Sequence, residues 1–535
     1  MHVRQRRGNR FALAAFVATN VLTPASRAAD SRDAAFAAAM ASVTEQELLG
    51  HAGVLADDSL EGREAGTRGG LAAARYIESR LEDAGLQPAG DGGRFAQRFN
   101  GNMQNLLAVR PGSDPDLADQ YLVLGAHYDH VGYGTRRNSN GPVGYIHNGA
   151  DDNASGVAAL LEVADALAAI DFHPRRSILF AFWDGEEKNL LGSRHWVRQP
   201  TVPLPQVKAA VNVDMVGRLT DGTLIVAGTR TGYGSRQLLS TSRLPAGVQI
   251  DFSWEFKENS DHWPFAAAGV PAFVVNTGIH DDYHRPSDDV EKLNVPGMRL
   301  ATQYLVEAVM RLADADDLPR YRAAGLGETP ELRTAREQPL PPLPPRTAVE
   351  WAAPVAGDPA GVLVVAVPPD LTADGGEQDA VAEQLRPGDR VVACDAVAVR
   401  TVADLKSLLL TAEQSAALVV HRTGVAEPLS VVLPLSGKPL RLGASWRSDE
   451  AEPGAAWVTR VVPHSTAARA GLAVGDRIDR VAGEPFADAD ALLVRMRELL
   501  ASETQIISLR VETAGRLRTV IVDVTRPAAS GDATL

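Results

Sequence analysis

The sequence has one cysteine, Cys394, in 535 residues, which excludes an intrachain disulfide. An exported form would therefore depend on its hydrophobic core, and on any bound metal, for stability. Cys394 lies in an apolar run typical of a strand, which favours an inert core position. After the N-terminal region, the sequence also lacks any stretch that is long and apolar enough to span a bilayer.

The sequence also has fewer basic residues than acidic residues. The chain has 53 Lys and Arg against 67 Asp and Glu, giving a formal net charge of -14. This balance disfavours nonspecific binding to nucleic acids and to anionic membranes, because both require a basic surface. The contents of apolar residues (45%) and charged residues (22%) are typical of globular proteins. A chain of this length predicts two to four domains.

The N-terminus has the pattern of a secretory signal. Four arginines fall within the first ten residues, an apolar run covers residues 11–21, and small residues follow at 25–28. We therefore predict a signal peptide over residues 1–28 and a secreted or periplasmic protein. A disordered basic tail is the alternative interpretation of this segment.

Strand-like and helix-like segments alternate through the next part of the chain. The apolar patterns predict strands at 106–110, 121–126, 177–183, 207–213, 223–227 and 271–276, and helices at 155–170 and 295–312. Such alternation predicts an α/β fold, with a mixed, mostly parallel sheet covered by helices on both faces. We assign residues 34–317 to this domain.

Five short segments of this domain each place a metal-type ligand after an apolar run. The C-terminal ends of parallel strands share one crevice, so these side chains are expected to converge. Two Zn²⁺ ions would balance three carboxylates and a bridging hydroxide, and an additional glutamate, Glu186, remains for proton transfer. We therefore predict two Zn²⁺ per chain, with these ligands: His127, Asp151, Glu187, Asp214 and His284.

The segments resemble the co-catalytic zinc aminopeptidase family, which includes secreted bacterial leucine aminopeptidases and, more distantly, glutamate carboxypeptidase. The resemblance covers residues 48–312 and implies the zinc exopeptidase fold. It implies that Asp151 bridges the two zinc ions. His127 and Asp214 would complete one site, and Glu187 and His284 the other.

The same resemblance implies roles for two further carboxylates. Glu186 would act as the general base, and Asp129 would orient His127. Asn189 stands where many relatives have glycine, a departure that alters the local turn without removing a ligand.

These residues predict a secreted zinc metallopeptidase, specifically an aminopeptidase. Glu186 would take a proton from water held at the metals, and the hydroxide would attack the scissile carbonyl. Two alternatives remain open. One is a carboxypeptidase or glutaminyl-cyclase-like enzyme on the same fold, and the other is a peptide-binding scaffold with an inactive catalytic domain.

The C-terminal part predicts a proline-rich, extended linker over residues 318–347, followed by two segments of similar pattern about 90 residues apart. Both segments resemble PDZ domains of the bacterial protease type. They imply two small β-rich domains, a degenerate one at 348–436 and a clearer one at 437–528.

In PDZ domains a Leu-Gly type loop binds the C-terminal carboxylate of a peptide. The resemblance implies that Arg441, Leu442 and Gly443 form this loop. The expected partners are peptide or protein substrates and a C-terminal peptide ligand, without nucleic acid or a membrane span. Alternatively, both modules pack on the catalytic domain and bind no peptide.

Overall fold

A computed structural model of the chain describes residues 34–338, 340–354, 360–368, 385–502 and 505–525. The predicted signal peptide lies outside these residues. None of the helices in the described ranges combines the length and apolar character needed to cross a membrane.

The first region is built around a sheet of nine strands among the described residues. Its helices are α1 (34–42), α2 (Glu45–Leu55), α3 (Arg68–Asp83), α4 (Gly156–Ala169), α5 (Leu191–Arg198), α6 (Ser235–Leu239), α7 (His262–Ala267), α8 (Val295–Asp314) and α9 (Pro330–Glu337). Its strands are β1 (Gln87–Pro88), β2 (Ala96–Phe99), β3 (Met103–Arg110), β4 (Tyr121–His127), β5 (Ser177–Trp183), β6 (Val207–Val213), β7 (Thr223–Ala227), β8 (Gln249–Asp251) and β9 (Ala272–Asn276).

The strand order is β1-β3-β5-β4-β6-β9-β7-β8, and β2 pairs with β3 at the edge. The four central strands β5, β4, β6 and β9 run parallel, whereas β3 pairs antiparallel with β5, and β7 pairs antiparallel with β9 and parallel with β8. The predicted mixed sheet is confirmed, and four of its eight strand pairings among the described residues are parallel. Its four parallel strands end at the same edge, which positions the loops described below.

Both faces of the sheet are covered by helices. On β4, Leu122 and Leu124 pack in the larger core, which includes residues of α2, α3, α4 and α8. Val123, between them, packs on the other face with Trp196 of α5 and Phe265 of α7. Burial on two faces explains why the central strands are almost continuously apolar rather than alternating.

The longest helix, α8, shows how local sequence sets a helix end. Asn294 caps it by accepting a hydrogen bond from the backbone N–H of Gly297 at 3.3 Å. A proline in the first turn fixes a helical backbone without losing an intrahelical hydrogen bond. The buried stripe of α8 then packs against α4 and α2.

Two antiparallel β-rich modules follow, as predicted. The first contains β10 (Glu350–Ala352), β11 (Val362–Ala366), β12 (Arg390–Cys394), β13 (Val397–Ala398), β14 (Ser415–His421), β15 (Leu429–Pro434) and α10 (Val402–Thr411). The second contains β16 (Ala444–Ser448), β17 (Ala456–Val461), β18 (Arg477–Val481), β19 (Ile506–Thr513), β20 (Arg516–Asp523), α11 (Thr466–Arg469) and α12 (Ala489–Ala501). Cys394 is buried in the first module, and burial raises the pKa of its thiol to about 12.

The segment predicted as an extended linker is not extended throughout, because it contains α9. Thr329 accepts a hydrogen bond from the backbone N–H of Leu332, and proline occupies the first turn, so the local sequence starts a helix there. Arg333 of α9 lies 2.9 Å from Asp251 at the end of β8. Part of this segment is therefore attached to the first region.

The second module docks on the first region through a buried charge network. Arg230 donates to both carboxylate oxygens of Asp449, at 2.7 and 2.9 Å, and to Glu328. Arg322 donates to the same Glu328 at 2.9 and 3.0 Å. The Arg230 guanidinium lies 3.8 Å from the centre of the Trp254 ring. Two arginines and two carboxylates balance in charge, which permits burial at an interface.

A hairpin turn of the second module completes this interface. The backbone N–H of Ile250 donates to the carbonyl of Ala514 at 2.9 Å, and that of Thr241 donates to Gly515 at 2.8 Å. Gly515 has a φ of +85°, and a Cβ there would lie 2.5 Å from Cδ1 of Ile250. Only glycine permits both the turn and the close approach.

We predict that Arg230→Ala destabilises the chain by about 3–5 kcal/mol, because it leaves Asp449 and Glu328 buried with one compensating arginine fewer. The measurement is the denaturant midpoint, followed by tryptophan fluorescence. Arg495→Ala is the matched control, since Arg495 pairs with Glu498 on an exposed helix face and should change stability by about 0–1 kcal/mol. Equal midpoints for the two variants would contradict the importance of the network.

Candidate active site

Four adjacent parallel strands deliver the predicted metal ligands to one edge of the sheet. His127 is the last residue of β4, Glu186 and Glu187 follow β5, and Asp214 follows β6. His284 lies in the loop after β9. The side chains approach one another because these strands end at the same edge.

The first group of donors consists of His127, Glu186 and Asp214, whose ligand atoms lie within 4.8 Å of one another. Nε2 of His127 is 3.4 Å from Oδ1 of Asp214. Oδ2 of Asp214 accepts a hydrogen bond from Ser260 Oγ at 2.5 Å, which in turn accepts from Asn212 Nδ2 at 2.7 Å. This chain of hydrogen bonds directs Oδ1 of Asp214 toward His127.

The second group consists of His130, Asp152, Glu187 and His284. Nε2 of His284 lies 3.1 Å from Oδ2 of Asp152 and 3.2 Å from Oε2 of Glu187. Nδ1 of His130 lies 2.8 Å from Oε1 of Glu187. The sequence analysis did not assign His130 to the site, and the structure places it beside a predicted ligand.

Asp152, rather than the predicted Asp151, lies between the two groups. Its Oδ1 is 3.3 Å from Nε2 of His127, and its Oδ2 is 3.1 Å from Nε2 of His284. A carboxylate in this position has one oxygen for each group. The geometry therefore corrects the assignment of Asp151 as the bridging residue.

Asp151 points into the neighbouring loops. Its Oδ1 accepts hydrogen bonds from the backbone N–H of Gly217 at 2.6 Å and from Ser155 Oγ at 2.9 Å, and its Oδ2 lies 3.1 Å from Nε2 of His280. These hydrogen bonds occupy Oδ1 of Asp151, and its Oδ2 faces His280. Consecutive side chains leave the backbone in different directions, so only one of the two aspartates can face both His127 and His284.

Asp288 holds the turn that carries both aspartates. Its Oδ2 accepts from the backbone N–H groups of Asp151 and Asp152, at 3.0 and 3.1 Å. Its Oδ1 accepts from Arg218 at 3.0 Å. The sequence analysis missed this buried side chain, which fixes the backbone beneath Asp152.

Asp129 supports the loop after β5. Its Oδ1 accepts from the backbone N–H of Glu186 at 3.0 Å, and lies 3.8 Å from Nδ1 of His127. Nδ1 of His127 is closer to the backbone carbonyl of Asp129, at 3.1 Å. Orientation of His127 by the Asp129 carboxylate remains a prediction, whereas its contact with the Glu186 backbone is direct.

Buried Arg63 ties the surrounding loops together. It donates to the carbonyls of Tyr128 and Gly149, at 2.9 and 3.0 Å, and to those of Leu55 and Asn148 at 2.6 Å. Burial lowers the pKa of Arg63 to about 10, although nearby carboxylates favour its charged form. Arg63 thus adds one positive charge below an acidic site.

Burial and neighbouring charges shift the pKa values of His284 and Glu186. Burial opposes the charged form of His284, but hydrogen bonds to Asp152 and Glu187 raise its pKa to about 10. Burial raises the pKa of Glu186 above its usual range; His127 opposes this shift, and the charge of Glu187 adds to it. A glutamate with a raised pKa is suited to accept and return a proton near neutral pH.

The donor set fits divalent zinc. Each group combines imidazole nitrogen with carboxylate oxygen, which are usual zinc ligands. Oδ1 of Asp214 is buried without a hydrogen-bond partner, although it faces His127. A cation between these atoms would satisfy it and would reduce the repulsion among the clustered carboxylates.

A cavity of about 430 Å³ opens beside the first group. Its apolar walls include Met215, Ile225, Val274 and Ile279. Tyr283 also lines it, and its ring stacks on that of His284 with 4.0 Å between centroids. The cavity can hold a side chain next to the clustered ligands.

Two other histidines in this region have local partners. Nε2 of His147 is 2.8 Å from Ser139 Oγ, and its Nδ1 is 2.9 Å from the Tyr145 carbonyl. His262 lies 2.9 Å from the Lys257 carbonyl, and burial lowers its pKa to about 4. His147 is thus held within its own loop, whereas His262 also lines the cavity.

Comparison with known families supports this description. Residues 105–309 match the model of peptidase family M28, and residues 457–512 match the model of a PDZ domain. The segment with the clustered ligands is an M28 domain. All the side chains of both donor groups fall within it.

Individual relatives match part of the chain. Leupeptin-inactivating enzyme 1 of Streptomyces exfoliatus is 28% identical over 234 residues, covering 43% of this chain and 47% of the relative. A probable zinc metalloprotease of Pyrenophora teres f. teres is 37% identical over 230 residues, covering 39% and 45%. The chain thus spans about half the length of the curated relatives it matches. Among solved structures, the LapA aminopeptidase of Legionella pneumophila matches with a TM-score of 0.44 and 22% identity, covering 54% of this chain and 76% of that one.

We predict that Asp152→Asn removes most of the divalent metal bound at this site, whereas Asp151→Asn leaves most of it in place. Asparagine keeps the shape of the side chain but offers one neutral oxygen, which weakens a shared position. Metal per chain, measured by inductively coupled plasma mass spectrometry, distinguishes the two. Greater loss in Asp151→Asn than in Asp152→Asn would contradict the geometric assignment.

Proposed function

We propose that this chain is a zinc-dependent aminopeptidase that removes N-terminal residues from peptides. The observation that carries the proposal is Asp152, placed between two donor groups at the mouth of a cavity beside Glu186. Such an arrangement suits two zinc ions that share a carboxylate. We also propose that the protein is exported, on the pattern of its first 28 residues.

Zinc bound by these residues would lower the pKa of a water molecule and polarise the scissile carbonyl. Glu186 then accepts the proton of that water at its carboxylate and later returns it to the leaving amine. The hydrogen bond from the Glu186 backbone to Asp129 holds the base in place. Burial of the site excludes bulk water and strengthens these interactions.

The cavity favours a free amine over a free carboxylate. Its lining includes the acidic residues Asp152, Glu186, Asp214 and Glu255. Among the described residues that line it, Lys257 is the one Lys or Arg, and it is paired with Glu255. A protonated α-amine is attracted by such an acidic surface, whereas a C-terminal carboxylate is repelled by it. The apolar walls suit an aliphatic side chain at the first position.

Relatives carry related activities in their names. Leucine aminopeptidase 2 of Trichophyton rubrum is 26% identical over 245 residues, and aminopeptidase YwaD of Bacillus subtilis is 27% identical over 232 residues. These names support an aminopeptidase over the carboxypeptidase and cyclase alternatives. The retained Glu186 and both donor groups argue against an inactive scaffold.

We predict that Glu186→Gln lowers kcat by about 10²–10⁴ fold while retaining bound zinc, because it removes the proton acceptor but no metal-bridging oxygen. The assay is hydrolysis of leucyl-p-nitroanilide, alongside metal content. Glu258→Gln is the matched control, since Glu258 pairs with Arg194 on a half-exposed surface. Cleavage of leucyl but not N-acetyl-leucyl substrate supports an aminopeptidase, and the reverse preference contradicts it.

We propose a separate peptide site on the second β-rich module. The predicted loop Arg441–Gly443 borders a groove of about 560 Å³ between β16 and α12, lined by Leu493 and Leu500 of the helix. Within the described sheet β16 pairs on one side, with β17, so its other edge can accept a peptide strand. Backbone N–H groups of the loop would receive the terminal carboxylate.

We predict that fluorescent peptides ending in Leu or Val bind this groove at least tenfold more tightly as free acids than as C-terminal amides. Fluorescence polarisation measures both. Leu493→Asp should weaken binding because it places charge in an apolar groove, whereas Val494→Asp, one residue away and 55% exposed, should not. Equal affinity for acid and amide would contradict a carboxylate-binding loop.

A further inference from the structure

A third group of metal-type donors lies between helices α2 and α4, on residues separate from the active site. It consists of His51, Glu162 and Asp165, whose ligand atoms all lie within 4.8 Å of one another. His51 is on α2, and the two carboxylates are three residues apart on one face of α4. The sequence analysis gave this group no role.

Glu162 is the observation that points to a ligand. Its side chain is 2% exposed, and its Oε1 is buried without a hydrogen-bond partner. This oxygen lies 3.8 Å from Nε2 of His51, too far for a hydrogen bond. Its other oxygen, Oε2, receives only a long contact from the backbone N–H of Thr44, at 3.4 Å. A buried carboxylate with an unsatisfied oxygen is costly unless something binds it.

The histidine is oriented to supply a free nitrogen. Nδ1 of His51 is 2.7 Å from the hydroxyl of Tyr76, whose oxygen can accept a hydrogen bond from the Nδ1–H group. In that tautomer Nε2 is unprotonated and faces the carboxylates. Ligand histidines in metal sites are commonly fixed in this way, through a hydrogen bond at the second ring nitrogen.

The charge around the group is unbalanced. Burial, with the charge of Glu47 adding to its effect, raises the pKa of Glu162 to about 8. Burial and Glu47 also raise the pKa of Asp165, against the effect of Arg80. Arg80 itself is bound by Asp83 at 2.7 Å. A divalent cation would neutralise both carboxylates at once, which one shared proton cannot do.

We propose that His51, Glu162 and Asp165 bind one divalent transition-metal ion of the zinc type. One imidazole and two carboxylates suit zinc, and water would complete the coordination. The ion would join α2 to α4 and so fix the N-terminal helices on the core of the M28 domain. Its role is structural, because neither donor group of the active site shares a residue with it.

The test uses the full chain with Asp152→Asn as a background that weakens the active site. Zinc per chain is measured by plasma mass spectrometry after dialysis against trace zinc, and thermal midpoints are recorded with and without added zinc. Glu162→Gln keeps the side-chain volume and is the main variant, with His51→Ala as the second. His173→Ala is the control, since His173 is exposed and lies 3.3 Å from Asp171.

We expect Glu162→Gln and His51→Ala each to lower bound zinc by about one ion per chain in both backgrounds, and His173→Ala to change nothing. Added zinc should raise the midpoint of Asp152→Asn but not of Asp152→Asn/Glu162→Gln. Equal zinc content in the Glu162→Gln chain and its parent overturns the proposal. Zinc lost on Asp152→Asn alone comes from the active site, whereas zinc lost on Glu162→Gln comes from the site at His51. The two substitutions therefore test the two proposals separately.

Discussion

The repulsion among buried carboxylates is the constraint that the rest of the M28 domain accommodates. Ligand atoms of Asp152 and Glu187 lie within 4.8 Å of each other in one donor group, and those of Glu186 and Asp214 in the other. Backbone N–H groups, fixed loops and the guanidinium of Arg63 hold them there. The parallel sheet provides the rigid edge for this, because its strands are buried on both faces and cannot shift independently.

The elements and the site differ in how far the sequence predicts them. The central strands and the long helices follow from apolar periodicity, and the sheet order places their loops together. The sequence does not show whether Asp151 or Asp152 faces the other ligands, because the two are identical residues at adjacent positions of one loop. This depends on the backbone conformation of the turn, which Asp288 holds through the N–H groups of both residues, and Asp288 is more than a hundred residues away. The helix α9 was missed because prolines elsewhere in the segment obscured the Thr329 cap.

The group at His51 was also not predicted, because its residues come together only in the folded chain. His51, Glu162 and Asp165 lie on helices that pack across the core, and each residue alone is typical of an ordinary helix surface. Only the packing of α2 on α4 brings them together, and only burial reveals that Oε1 of Glu162 has no partner. Motif spacing identifies ligands that follow successive strands of a sheet. It does not identify those assembled from distant helix faces.

The stabilising contacts around Arg230 cross the domain boundaries that were assigned from sequence. The members of this charge network come from the M28 side, from the proline-rich segment and from the second β-rich module. Trp254, which lies against Arg230, is adjacent in sequence to residues that line the cavity beside the first donor group. A shortened chain ending near residue 317 would keep Arg230 but lose the other three charges, Arg322, Glu328 and Asp449, and would uncover the Trp254 indole. The smallest autonomous folding unit therefore extends beyond the family match, and swapping the C-terminal module between relatives would require exchanging its arginine partners as well.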